Sequence, residues 1–164
     1  MFYVVDAANR VVEVDLDWDE FLLHNGGTAQ SARDQVLGRA LEGFMAGDST
    51  RMFVRVALDA ARLKGLTRVL PYRCDSPTER RHFEMIVSPA GAGHVRVDHR
   101  LLRADVRPTP GRPWAGRTTA RWRCSQCLAV RQAGSPMWVG ADRAAPGGPV
   151  AEDVCPDCAR RLFA

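Results

Sequence analysis

Lysine is almost missing from this chain: of 23 basic side chains, only Lys64 is one. Arginine supplies the rest, and Ala, Gly and Pro are abundant, the residue choice of a GC-rich genome. Arginine therefore need not report phosphate binding here, although the net charge is +4 and the pI about 9.1. Residues 1–107 hold 15 basic and 15 acidic side chains and residues 108–164 hold 8 and 4, so the whole excess lies in the tail.

Long apolar runs are also missing. No stretch approaches the roughly 18 consecutive apolar residues of a membrane span. The first residues, Met1 to Asp6, show no charged leader followed by an apolar run, so a cytoplasmic location with no membrane partner is expected. In that reducing compartment the five cysteines are expected as thiols or metal ligands. There is no Gly-rich phosphate loop, no HExxH and no Ser, His and Asp set with a nucleophile elbow, so no enzyme is expected. Disorder is excluded in turn, because 46% hydrophobic against 26% charged residues is the balance of a folded protein.

Residues 2–15 form two β-rich runs around a turn at Asp6–Asn9, a β-hairpin. Asp17 and Glu20 mark the start of a short helix with Trp18, Phe21 and Leu22 as its apolar stripe, ended by Asn25-Gly26-Gly27. Short helical turns are expected at 35–39 and 41–45. A longer helix, capped by Asp48 or Ser49, runs to Lys64 with Gly65 beyond its end. Phe53, Val56, Ala57, Ala60 and Leu63 are its expected buried face. Three strands follow, at 66–73, 81–88 and 94–103. In the second, Phe83, Met85 and Val87 alternate with His82, Glu84 and Ile86. In the third, Val95, Val97, His99 and Leu101 alternate with polar residues, so each strand has one buried face. Residues 107–120, rich in Pro and Gly, are expected as a linker.

Cys124-Ser125-Gln126-Cys127 and Cys155-Pro156-Asp157-Cys158 are two CxxC pairs, separated by 27 residues. Each turn can offer two thiolates to one metal, and four thiolates complete the tetrahedron that zinc prefers. Rubredoxin-like iron and a thioredoxin-like redox pair compete with zinc, but the redox pair needs a strand–helix context missing around Cys155. Four protein ligands leave no position for a catalytic water. The tail from Arg121 is too small for a stable core of its own, so the metal supplies folding energy, with Trp122, Leu128, Val130, Trp138 and Val139 as apolar cover.

The order of two strands, several helices and three strands resembles a PAS domain. So do Val5-Asp6, Val12-Glu13-Val14-Asp15 with Trp18 and Phe21, Val36-Leu37-Gly38-Arg39, and the run Leu70 to Thr78. These residues are similar to a group of bacterial PAS-like proteins, several of which carry a C-terminal CxxC pair of pairs. The resemblance implies an α+β fold: a PAS-like five-stranded antiparallel sheet with helices on one face at 1–107, a linker at 108–120 and a small zinc ribbon at 121–164. It implies a sensory or protein-interaction module, since PAS domains mostly bind small ligands or each other. Their pockets lie between sheet and helices, which makes Phe44, Phe53, Val56, Leu70, Phe83, Met85, Val97 and His99 the candidate ligand-binding set, with a fully packed core as the competing expectation.

His99 shares a face with Val95 and Val97 and is either a ligand contact or a packed, hydrogen-bonded core histidine. The long helix has no histidine for haem, and no Asn-Cys-Arg motif precedes it for flavin photochemistry. Cys74, beside Arg73, is either a reactive thiol or a small residue at a strand end. Two functions remain: a sensory or signalling adaptor that engages a small ligand, a protein partner or another copy of itself, or a nucleic-acid-binding regulator using the ribbon arginines at 121, 123, 131, 160 and 161, with PAS-mediated dimerisation.

Overall fold

The computed structural model describes residues 1–24, 28–76, 78–106, 121–141, 143 and 150–163. The expected linker and the Asn25-Gly26-Gly27 helix stop lie outside these residues. The chain order is β1 (Phe2–Val5), β2 (Val11–Val14), α1 (Trp18–His24), α2 (Arg33–Val36), α3 (Asp48–Lys64), β3 (Arg68–Arg73), β4 (Glu79–Pro89) and β5 (Val95–Val106). Then come β6 (Arg121–Cys124), β7 (Val130–Gln132), β8 (Ala151–Asp153) and α4 (Pro156–Arg160). Single 3₁₀ turns at Ala29–Ser31 and Leu41–Phe44 flank α2. The fold is α+β: β1 to β5 make one antiparallel sheet in the order β2-β1-β5-β4-β3, packed against α3, and β7-β6-β8 make a small second sheet.

The β1–β2 turn is built by Asp6, whose Oδ1 accepts from the backbone N–H groups of Ala8 and Arg10 at 2.9 and 2.8 Å. Register then decides which side chains face the helices. Tyr3 pairs with Val97, Val5 with Val95, Val87 with Val97 and Leu70 with Met85, so these residues share one side of the sheet. With Val36, Leu41, Phe53, Val54, Ala57, Leu58 and Ala61 they form a single buried cluster. The burial of Phe83, Met85 and Val87 alternates with half-exposed neighbours as expected for a sheet covered on one side. The opposite side carries the Arg96–Asp98 and Arg100–Glu84 ion pairs, with the Arg96 guanidinium 3.6 Å above the Phe2 ring.

Helix α3 corrects the expected stripe. Its buried residues are Phe53, Val54, Ala57, Leu58 and Ala61, while Val56 is half-buried and Leu63 is 79% exposed. Alanine occupies positions on both candidate sides of this helix and does not discriminate between them, so the larger Val54 and Leu58 set the orientation. The N-cap also differs: it is Gly47, with φ +81°, and no side chain caps the helix. The C-cap agrees, with Gly65 at φ +64° in the left-handed region that glycine enters without steric cost.

Both outer strands of the five-stranded sheet are partly covered. At β2, Val11 N–H donates to Arg39 O (2.9 Å) and Gly38 N–H to Val11 O (2.7 Å). At β3, the N–H of Arg73 points away from β4 and donates to Gln126 O at 2.6 Å. Pro71 has the same outward parity, so its missing N–H costs the ladder nothing. The small sheet is thus not an independent unit on a tether. Leu162, 7% exposed, belongs to the main cluster, and Val154 packs against both that cluster and the cysteine cluster.

Candidate metal centre

The first CxxC lies at the end of β6 and in the turn that follows it. Cys124 N–H donates to Ala129 O at 2.8 Å and Leu128 N–H to Cys124 O at 2.9 Å, which folds residues 124–129 into a tight knuckle. Leu128 adopts φ +61° to complete the turn, a conformation that costs an L-residue roughly 1–2 kcal/mol. The second CxxC opens α4, where Pro156 takes the first helical position with φ already suited to it. Pairing of β6 with β8 places Cys124 opposite Asp153, two residues before Cys155, and so brings the knuckle and the helix start together.

The sulfur atoms of Cys124, Cys127, Cys155 and Cys158 all lie within 4.8 Å of one another. A regular tetrahedron of thiolates around zinc has sulfur–sulfur edges of about 3.8 Å, and the Cys127 and Cys155 sulfurs stand 3.7 Å apart. All four are free thiols. Cys124, Cys155 and Cys158 are buried and Cys127 is half-buried. Cys155 N–H donates to Cys124 Sγ at 3.3 Å, the kind of backbone contact that steadies a thiolate.

The thiols cannot all ionise together unaided. Hydrogen bonds from Cys127 and Cys158 pull the Cys124 thiol far down from its ordinary value, the Cys155 N–H adding to this. Cys124 in turn pushes Cys127 up to about 11, and with Cys127 pushes Cys158 up strongly. One negative sulfur thus holds these two neighbours protonated, and a divalent cation at the centre reverses that by stabilising four thiolates at once. The donor set therefore fits a soft or borderline metal with four-coordinate geometry, with all four corners taken by protein.

The expected apolar cover is only partly in place. Trp138, Val154 and the buried Ala129 pack on the cysteine cluster. Val139 is exposed, Trp122 stacks under Arg131, and Trp138, besides packing on the cluster, flanks the same guanidinium, whose carbon is 4.4 and 5.5 Å from the two ring centres. Val154 and Ala129 were missed because one is a single apolar residue beside a cysteine and the other a small residue in a turn, with no periodicity to mark them.

Of the candidate pocket residues, Phe53, Leu70, Met85 and Val97 come together in the main cluster, with the half-buried Val56 against it. Phe83 is buried and stacks on Tyr72 at 5.3 Å. Phe44 departs from the set: it is 38% exposed under the Arg39 guanidinium, because the next residue, Met45, takes the place against the core. A narrow crevice between Leu41, Met45, Val54 and Leu58 has no room for a water molecule. Roomier hollows lie at the surface, one of about 410 Å³ beside Gln30, Arg39 and Phe44, the other of about 240 Å³ beside Arg121, Gln132 and Met137.

His99 is packed and hydrogen-bonded. Its Nδ1 lies 2.8 Å from the Tyr72 hydroxyl, and its ring sits 5.6 Å from Tyr3 and 5.5 Å from Tyr72. Burial, with the nearby N-terminal amine, lowers its pKa to about 4, so the ring is neutral. Cys74 is exposed at the end of β3, where its N–H donates to Arg81 O at 3.0 Å and Arg73 is engaged by Asp75 at 2.8 Å. No helix among the described residues is long and apolar enough to cross a membrane. Comparison with protein-family models, with curated proteins and with solved structures finds no match.

Proposed function

We propose that the protein is a non-enzymatic signalling adaptor, in which a PAS-like domain engages a protein partner or a second copy of the chain and a structural zinc ribbon adds a second surface. The observation that carries this reading is the closed four-cysteine cluster seated against the five-stranded sheet domain. Four protein sulfurs leave the metal no vacant position for substrate, which assigns it to holding structure. The PAS-like assignment rests on the sequence resemblance together with five antiparallel strands covered by helices on one side.

Protein association is favoured over a small-molecule pocket because the candidate lining residues largely fill one another's space. The open sheet face offers a mixed surface: exposed Val69 shares the face of the Arg100–Glu84 pair, and Leu102, also exposed, is the extra residue at the neighbouring register shift. Apolar residues ringed by ion pairs suit a transient protein contact. The nucleic-acid alternative loses support because Arg123, Arg131 and Arg160 are paired with Glu152, Asp153 and Asp157. A phosphate backbone would have to displace those carboxylates.

Sedimentation velocity across protein concentration, with Leu102→Glu as the interface variant, tests self-association. The adaptor reading expects concentration-dependent association in wild type that Leu102→Glu removes, or a saturable complex with a defined protein partner that it weakens. Tight binding to duplex DNA or single-stranded RNA with a steep loss as salt rises would replace the reading with the nucleic-acid one, since counterion release dominates such complexes.

A further inference from the structure

We infer that the metal centre is a lock on the β3 edge of the sheet, so that metal occupancy switches the protein between a capped and an uncapped form. The inference rests on the metal reading above and concerns what the metal does to the rest of the chain. Three separate parts of the metal-binding module hold the sheet domain. In the knuckle, Gln126 lies between two ligands, is 6% exposed, and takes the outward N–H of Arg73 on its carbonyl at 2.6 Å. Before the second pair, the carbonyl of Glu152 approaches Gly47 so closely that a Cβ there would stand 2.6 Å from it. Beyond the second pair, Leu162 is buried in the main core four residues after Cys158.

These contacts cap an otherwise open strand. Among the described residues β3 pairs only with β4, and an uncovered edge is a template for another strand. Pro71 removes one outward N–H and Gln126 occupies another, so capping is shared between a fixed residue and the metal module. The Arg73–Asp75 ion pair lies at the same seam, both side chains about 10% exposed. The module is too small to keep its shape by apolar burial alone, so its folding energy comes from metal ligation. Without the metal the knuckle relaxes, Gln126 leaves Arg73, and Leu162 and Val154 lose the geometry that seats them. Linkage makes the effect mutual: docking on the sheet tightens the hold on the metal.

The test uses the full chain, zinc-loaded or stripped with excess chelator, with zinc stoichiometry measured on the same samples. Hydrogen exchange is followed through β3 and the first turns of α3. On chelation the Arg73 amide should exchange about a hundredfold faster, as expected when a local cap opens, and the start of α3 should lose protection with it. Leu162→Ala, which leaves all four cysteines in place, should bind zinc about tenfold more weakly in competition with a chromophoric chelator. Zinc that binds and leaves while the Arg73 and α3 amides keep their protection would overturn the lock and spare the metal site. A chain that never takes up metal would overturn both. Unaltered zinc affinity in Leu162→Ala would also refute the coupling.

Discussion

Gly47→Ala probes the junction between α3 and the metal module with a single methyl group. Gly47 holds φ +81° and ψ 136°, a combination open to glycine and strained for other residues by roughly 1–3 kcal/mol. The new Cβ would also stand 2.6 Å from the Glu152 carbonyl oxygen and 3.0 Å from its Cβ. Backbone cannot step aside as a flexible side chain can, so β8 and the start of α3 must part. Strain and separation together should cost about 2–4 kcal/mol, within the range for strained-backbone and overpacking substitutions. For a chain of this size each kcal/mol lowers the melting temperature by about 2–4 °C, so the zinc-loaded variant should melt about 5–15 °C below wild type. Gly43→Ala is the control, because a Cβ there meets nothing within 4 Å. Differential scanning calorimetry reads both. A Gly47→Ala midpoint within about 2 °C of wild type, or a loss equalled by Gly43→Ala, would refute the close approach and the reasoning built on it.

Acid should destabilise the fold through His99. Its folded pKa of about 4 lies below the ordinary 6.5, so between these values the unfolded chain binds more protons. The contribution is therefore fully present above about pH 6.5 and is lost as pH falls toward 4, amounting to roughly 3 kcal/mol. His99→Phe should flatten the denaturant midpoint across that window relative to wild type, and parallel pH curves for the two would contradict the assignment. Thr50 carries a buried hydroxyl with no hydrogen-bond partner among the described residues. Thr50→Val, which keeps the shape and removes the unpaired oxygen, should be neutral or raise stability by up to about 1 kcal/mol in urea unfolding. A loss beyond 1 kcal/mol would show that the hydroxyl is bonded in solution.

The four-cysteine cluster was the most legible feature because CxxC spacing is a local signal: two thiols on one turn need no knowledge of the fold. Strands β4 and β5 were legible for a related reason, since alternation at Phe83, Met85 and Val87 or at Val95 and Val97 follows from burial of one face. The β5 alternation failed at Leu101, which is 50% exposed. There the register shifts between His82 and Phe83, close to the end of β3. Helix α3 was legible in extent, but the side it buries was not. Val56, Ala60 and Leu63 made an apolar alternative to Val54 and Leu58, and the choice belongs to the sheet surface beneath.

The seating of the metal module on the sheet was the least legible part. Leu162, Val154 and Gln126 reach partners far away in sequence and carry no periodic pattern. The Pro- and Gly-rich run at 107–120 suggested separation, yet a long connection costs little once the ends pack, since loop-closure entropy grows only with the logarithm of length. Gly47 had no mark in the sequence beyond being a glycine before a helix, and its role follows from the nearness of Glu152 alone. Likewise, the pairing of Arg123 with Glu152 and of Arg131 with Asp153 depends on strand register, and with the local Arg160–Asp157 pair in α4 it removes much of the basic surface that net charge implied.

The most direct test of the account is native mass spectrometry of the full chain purified without added metal, alongside Cys155→Ser. One zinc ion per wild-type chain, with protons released as it binds, and weak or no retention in Cys155→Ser is the expected result. Wild-type protein that carries iron, or that retains no metal and shows a disulfide between the two CxxC pairs, would contradict a zinc centre at Cys124, Cys127, Cys155 and Cys158.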